Sequence, residues 1–255
     1  MMQNVQWVGI VNATPDSFSD GGTYDPVAQA LALVEQGAHV IDVGAESTRP
    51  NATPVEPAEE WGRLDPVLKA LQDVDVLVSV DTRHAATAEK ALALGVDWIN
   101  DVSGLQSAEM LALAKGSQSK WVVMHSLTVP VDPSVIIEEE DVCAYMVAWA
   151  KSTIERLEAE GIHREQIILD PGIGFGMTAK QSLEMIAGME RLVAVHSEWL
   201  VGHSRKSFMK LLGEEDATQR DPLTRTFSLQ LAERGVKYLR VHDVAGHVAL
   251  QEALA

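Results

Sequence analysis

Asp81, Asn100 and Asp170 each stand at or just past a short apolar run, and Lys206, Arg240 and His242 follow two more. Acceptor-rich side chains of this kind suit a flat heterocycle that carries several N–H donors. A carboxamide also donates, so Asn100 can read a ring edge presenting both group types. Lys206 can donate to a ring carbonyl or nitrogen. Arg49, Arg240 and His242 supply cationic or donor groups for an anion, and the planar fork of arginine suits a phosphate. A single Asp or Asn ahead of a helix is usually no more than an N-cap. Capping does not explain a lysine and an arginine beside them, so the set describes a pocket with a heterocycle at its floor and a phosphate at its rim.

Such a pocket needs a frame that carries chain-distant residues to one face. Apolar runs lie at Trp7–Val11, His39–Val43, Val76–Val80, Asp97–Ile99, Lys120–Val123, Gln166–Leu169, Trp199–Val201 and Lys237–Leu239. Between them fall helix candidates near Pro26–Gln36, Glu56–Leu71, Ala85–Leu94, Ala108–Lys115, Glu138–Glu160, Thr178–Met189, Pro222–Glu233 and Ala245–Leu254. Continuous apolar strands alternating with helices read as a parallel sheet covered by helices. Gly37, Gly95, Gly161 and Gly235 fall where those helices should stop. Eight such units in 255 residues predict an α/β fold, a (β/α)8 TIM barrel forming a single domain over residues 1–255. An open doubly wound sheet would usually show a glycine-rich dinucleotide turn after its first strand, and the turn here has a different character. In a barrel the strand ends converge on one face. Asn12, Asp81, Asn100, Asp101, His125, Asp170, Ser204, Arg205, Lys206, Arg240 and His242 all follow the apolar runs in this way. Two long polar segments, Ala13–Tyr24 and Gly44–Pro54, are set above strand ends as lids are.

Composition narrows the partners. A formal net charge of −17 argues against nucleic acid, which needs a basic surface, but leaves room for a small anion met by local cations. Cys143 is the single cysteine and reads as a buried small hydrophobe. The eight histidines include no His-x-x-x-His pair, so a catalytic transition-metal site is not expected. No apolar run approaches membrane-spanning length, and the N-terminus lacks the pattern of a signal peptide, so a cytoplasmic location is expected. Trp61, Trp149 and Trp199 read as packing residues. Glu138–Asp141 reads as an acidic helix start that complements the helix dipole.

Seven segments, in order along the chain, resemble the dihydropteroate synthase family. They are Asn12-Ala-Thr-Pro-Asp-Ser-Phe-Ser-Asp-Gly-Gly22, Asp42-Val-Gly-Ala-Glu-Ser-Thr-Arg-Pro50, Ser79-Val-Asp-Thr82, Ile99-Asn-Asp-Val-Ser-Gly104, Asp170-Pro-Gly-Ile-Gly-Phe-Gly176, Gly202-His-Ser-Arg-Lys-Ser207 and Arg240-Val-His-Asp-Val244. The resemblance implies condensation of 6-hydroxymethyl-7,8-dihydropterin diphosphate with p-aminobenzoate, giving dihydropteroate in folate biosynthesis. It further implies pterin contacts from Asp81, Asn100, Met124, Asp170, Phe175, Gly202, Lys206 and Arg240. Asn12, Arg49, Arg240 and His242 then hold the diphosphate, with Asn12 also touching Mg2+. Thr48, Pro50, Phe175, Lys206 and Ser207 shape the p-aminobenzoate pocket. Lys206, Arg240, His242 and Asp170 are the residues on which catalysis depends, and the family habit is a homodimer and a sulfonamide target.

The chain departs from the family pattern at several places. Met177 stands where lysine is common, Ser182 where asparagine is, and Ala45 and Asn51 where glycine is. His125-Ser-Leu-Thr-Val-Pro130 lacks a common glycine, and His203 replaces a small or aliphatic residue. Loss of a lysine at Met177 removes a charge expected near the pocket mouth, Ala45 stiffens its loop, and His203 is expected at the rim. These changes keep open a divergent pterin-binding paralogue with little synthase activity. A pterin-dependent methyltransferase domain with a corrinoid partner is a further alternative, though it has no need of Ser-Thr-Arg-Pro or Ser-Arg-Lys-Ser.

Overall fold

A computed structural model of the chain describes Met2, residues 4–14, 25–46 and 54–255. Eight strands, β1 (Gln6–Asn12), β2 (Val40–Gly44), β3 (Leu77–Asp81), β4 (Trp98–Asp101), β5 (Lys120–Met124), β6 (Ile167–Asp170), β7 (Leu200–Val201) and β8 (Tyr238–Val241), lie in the order β6-β5-β4-β3-β2-β1-β8-β7. Every pairing is parallel. A parallel bridge between Leu169 and Trp199, with the Leu169 N–H donating to the Glu198 carbonyl at 2.9 Å, joins the first and last members and closes the barrel. Around it run α1 (Pro26–Glu35), α2 (Pro57–Leu71), α3 (Ala85–Ala93), α4 (Ala108–Gly116), α5 (Val142–Ala159), α6 (Ala179–Ala187), α7 (Met189–Val193), α8 (Asp221–Glu233) and α9 (Val244–Ala253). This is the expected TIM barrel.

The strands are apolar along their length because both of their faces are buried. Trp7, Val11, Ile41, Val43, Ile99, Trp121, Leu169 and Val201 belong to the core between sheet and helices. Val8, Val40, Trp98, Val122, Ile168, Leu200 and Tyr238 form a separate cluster. It holds one residue from each strand but β3, and it fills the barrel interior as a layer, as barrel interiors are filled. Trp98 and Tyr238 meet edge to face there, with centroids 4.8 Å apart. Below them Tyr238 donates to Glu198 (2.7 Å), which also pairs with Lys120 (2.8 Å) and Lys237 (2.6 Å). Burial works to raise the Glu198 carboxyl, but these three donors hold it down at about 2. A network at this end of the barrel serves stability and leaves the other end for chemistry.

Local signals fix most boundaries. Asp25, Ser107 and Thr178 cap their helices through their side chains, and the four glycines expected to stop helices are all left-handed. Two expectations need correction. The helix expected from Glu138 begins at Val142, because Asp141 accepts the Ala144 N–H at 2.8 Å and so sets the N-cap. Glu138–Glu140 therefore precede the helix and are not its first turn. The helix expected over Thr178–Met189 breaks at Gly188 into α6 and α7. A Cβ at residue 188 would lie 2.5 Å from Cys143 Sγ, so glycine at the break lets α5 pack against it. Cys143 itself is buried, as its neighbours in the sequence imply.

Candidate active site

Two residues beyond the interior layer come Ile10, Asp42, Asn100, Met124, Asp170 and Arg240 on their strands and Gly202 just past β7, and Asp81 ends β3 two residues after Ser79. Side chains repeat direction every second residue along a strand. An apolar layer at one level therefore requires these residues to share the barrel interior one level higher. The pleat thus collects in one ring residues as far apart in the chain as Ile10 and Arg240.

The ring is organised around Asp42, which has no solvent exposure. Its carboxylate accepts from Ser79 Oγ (2.5 Å), Asn100 Nδ2 (3.2 Å) and Arg240 Nε (2.6 Å). Arg240 Nη2 also donates to Asp81 Oδ2 at 3.0 Å. The guanidinium is thereby held between two carboxylates, and the Asn100 amide is fixed with its N–H₂ toward Asp42. Burial pushes the Asp81 carboxyl up to about 7, against the pull of Arg240.

Asp170 is also buried, beside Met124, with which it pairs in register. Its Oδ1 accepts the Gly172 N–H at 2.7 Å. Gly172 has φ +65°, and a Cβ there would stand 2.1 Å from the His125 carbonyl oxygen, so the turn that orients Asp170 accepts only glycine. Gly172→Ala is expected to cost at least about 2 kcal/mol of stability in urea unfolding. A wild-type midpoint would show that the turn relaxes freely. Burial pushes Asp170 up to about 6, opposed by Lys206 and the Gly172 N–H. Lys206, reaching in from the loop after β7, donates to the Ile173 carbonyl, and its ammonium lies 4.6 Å from the Phe175 ring centroid. Burial pushes it down to about 8, although Asp170 opposes this.

The rim is more open. Asn12 is exposed at the end of β1, and Ser207 is exposed beside Lys206. Ser204 Oγ lies 2.9 Å from His242 Nδ1 and accepts the His242 N–H at 3.3 Å, fixing the ring at the end of β8. A Cβ on Gly202 would lie 3.8 Å from Arg240 Cδ and 4.0 Å from Asp170 Oδ2, so its missing side chain leaves open the space between those two groups. Thr48, Arg49 and Pro50, expected for benzoate and diphosphate, lie outside the described residues. The same holds for Asn51 and for most of Ala13–Tyr24.

Several strand-end residues prove structural. Asp101 accepts the N–H groups of Ser103 (2.8 Å) and Leu105 (3.0 Å), closing its own turn. Arg205 makes two 2.7 Å bonds to Asp221. His125 is buried edge-on to Tyr145 and Trp149, and desolvation lowers its ring to about 4. His203, expected at the rim, is fully buried: its Nε2 lies 2.9 Å from Ser228 Oγ, itself 2.9 Å from His247 Nε2. Met177, expected near the pocket mouth, packs into the core at 8% exposure. Its apolar side chain therefore suits its surroundings. Ser182 is buried and donates to the Thr178 carbonyl at 3.0 Å. Ala45 is not among the described non-glycine residues with positive φ, which are Leu105 and Arg205, so no glycine-only conformation is required there.

Asp42 and Ser204 were not assigned roles from sequence. A signal for Asp42 existed: a carboxylate inside an apolar run buried on both faces requires a partner. Nothing local identifies that partner as Arg240, 198 residues away.

A closed (β/α)8 barrel gathers desolvated carboxylates, an amide, a lysine and an arginine at its C-terminal mouth, the face where barrel sites lie. Residues 8–242 match the family model described as pterin binding enzyme. The chain belongs to the dihydropteroate synthase family of pterin binding enzymes. It is 43% identical over 248 residues to a probable bifunctional folylpolyglutamate synthase/dihydropteroate synthase of Haloferax volcanii, covering 95% of this chain but only 29% of that protein's length. A dihydropteroate synthase structure from Anaplasma phagocytophilum with bound 6-hydroxymethylpterin-monophosphate superposes with a TM-score of 0.88 at 38% identity, covering 99% of this chain and 100% of that one. One from Xanthomonas albilineans with 4-aminobenzoic acid gives 0.90 at 35% identity, covering 99% and 94%.

Proposed function

We propose that the chain is a dihydropteroate synthase, joining 6-hydroxymethyl-7,8-dihydropterin diphosphate to p-aminobenzoate with release of diphosphate. The observation that carries this reading is the single ring of Asp42, Asp81, Asn100, Met124, Asp170, Gly202 and Arg240, with Lys206 entering beside Asp170. Related proteins bind the two halves of that product, a pterin in the Anaplasma enzyme and the benzoate in the Xanthomonas enzyme.

In this reading Asp170, Lys206, Asn100 and Asp81 take the hydrogen-bonding edge of the pterin, and Met124, Phe175, Gly202 and the flat face of Arg240 wall it. Arg240 and His242, joined by Asn12 and Arg49, face the diphosphate and stabilise the charge that grows on it as it leaves. Thr48, Pro50, Phe175, Lys206 and Ser207 border the benzoate. The aromatic amine is neutral at pH 7, so it attacks the pterin methylene carbon without a strong base. Catalysis then rests on positioning and on leaving-group stabilisation. The exposed carboxamide of Asn12 suits Mg2+, a hard ion that takes few protein ligands and completes its shell with phosphate oxygens and water. When bound there, the ion would supply further positive charge to the leaving diphosphate. The reading carries with it a cytoplasmic homodimer; no described helix is long and apolar enough to cross a membrane.

Three of the departures do not favour a paralogue without synthase activity, since Met177 packs in the core and Ser182 and His203 are buried on partners of their own. A coupled assay with both substrates and Mg2+ tests the proposal. Formation of dihydropteroate and diphosphate that stops without Mg2+ supports it; pterin binding by calorimetry without turnover would assign the chain to that paralogue instead.

The titrating groups also shape the pH dependence. Asp170 and Asp81 gain protons below about 6 and about 7, and Lys206 loses its proton above about 8. The pterin edge is therefore matched only in between, and kcat/KM is expected to fall on both sides of that interval, as the free enzyme's groups dictate. A profile flat from about pH 5 to about pH 9 would contradict these assignments.

A further inference from the structure

Outside the ring, four buried side-chain polar atoms among the described residues make no close hydrogen bond: Glu60 Oε1, His84 Nε2, Thr87 Oγ1 and His125 Nδ1. Three of the four meet in one place. Glu60, on the first turn of α2, has no solvent exposure. Its Oε2 accepts from Thr82 Oγ1 at 2.9 Å, and Thr87 on α3 gives the same carboxyl a further, weaker hydrogen bond. His84 is the N-cap of α3 but makes no capping bond with its ring. Its Nε2 lies 3.5 Å from Oε2 of Glu46, the second residue after β2. One donor atom from each of Glu46, Glu60 and His84 lies within 4.8 Å of the other two.

Buried polar atoms are almost always paired, and an orphan asks for an explanation such as an ion. Two donors bound about 2.0–2.1 Å from a tetrahedral ion stand about 3.3–3.5 Å apart, and the Glu46–His84 pair already has that spacing. We propose that Glu46, Glu60 and His84 form a cation site separate from the pterin ring. A mixed set of one imidazole and two carboxylates favours a borderline transition-metal ion, with Zn2+ the best match, over the all-oxygen shell that Mg2+ prefers.

The position suggests what such an ion does. Glu46 Oε1 also accepts the Val55 N–H at 3.0 Å, so one carboxylate joins the two ends of the segment that contains Thr48, Arg49 and Pro50. An ion on Glu46 and anchored to α2 and α3 fixes the base of that segment. Arg83 is its competitor, because it grips Glu46 through Nε (2.7 Å) and Nη2 (2.8 Å). Zn2+ has to share the carboxylate with this arginine, so binding weaker than at an uncontested site is expected.

The test is calorimetric titration of chelator-treated, desalted full-length protein with Zn2+ in the presence of excess Mg2+, paired with thermal unfolding. We expect one saturable equivalent and a raised unfolding midpoint. His84→Ala and Glu60→Gln should each weaken binding at least tenfold, and His84→Ala should leave the Mg2+-supported activity and the circular dichroism unchanged. X-ray absorption of the loaded protein should show a nitrogen and oxygen shell with imidazole scattering that His84→Ala removes. Absence of saturable binding, or an affinity that neither substitution alters, overturns the proposal. If Glu60→Gln fails to fold, the His84→Ala titration alone decides.

Discussion

Asp170→Asn is expected to lower kcat/KM by about three orders of magnitude or more while leaving the protein folded. A site built to hydrogen-bond a ring edge discriminates this strongly because a mismatched donor leaves both partners buried and unpaired. Asparagine keeps the oxygen that accepts the Gly172 N–H, so the local turn survives. It replaces the second acceptor with a donor and removes the charge facing Lys206. The effect on stability has the opposite sign. The carboxyl sits at about 6 in the folded protein, above its ordinary 3.8, chiefly through burial. Its ionisation thus works against folding, a cost absent below the unfolded value, growing as pH rises through that interval and complete above about 6. The amide removes this cost, with part of the gain offset by the partner that Lys206 loses. At pH 8 the variant's unfolding midpoint should equal or exceed the parent's. Near-normal turnover, or collapse of the fold, would show that Asp170 is a structural residue and not the reader of the pterin edge.

Arg240→Ala should abolish turnover and also destabilise the protein by about 3–5 kcal/mol, the penalty for breaking a buried ion pair from one side. Arg240 bonds to both Asp42 and Asp81, so its removal leaves two neighbouring carboxylates without their cation. Adding Asp42→Asn to Arg240→Ala should therefore recover much of the lost stability and none of the activity. A double-mutant cycle in urea measures the coupling, expected to be well above the scatter of independent sites. Additive effects would mean that Asp42 does not position Arg240. Restored turnover in the double variant would remove Arg240 from the leaving-group site.

Much of this protein is determined by its sequence alone. Eight apolar runs alternating with helices, and glycines where the helices end, specify the closed parallel barrel. The ordered segments from Asn12 to Val244 specify the family. The gathering of Asp81, Asn100, Asp170 and Arg240 at one mouth is legible too, because barrel strands end at a common face and the side chains that follow them must share it. The tertiary structure decided which of those strand-end residues meet. Asp101, His125 and Arg205 satisfy the same sequence pattern as Asp81 and Asp170, yet they cap a turn, pack against aromatics and pair with Asp221. His203 and Met177 turned inward to the core. Asp42 became the centre of the ring through a partner 198 residues distant, and Glu46, Glu60 and His84 converged from three separate elements with no spacing to announce them. The reason is physical: chain order and hydrophobic period set the direction of each strand and the height of each residue on it, whereas the partner a buried charge finds depends on which side chains the closed barrel brings within a few ångströms.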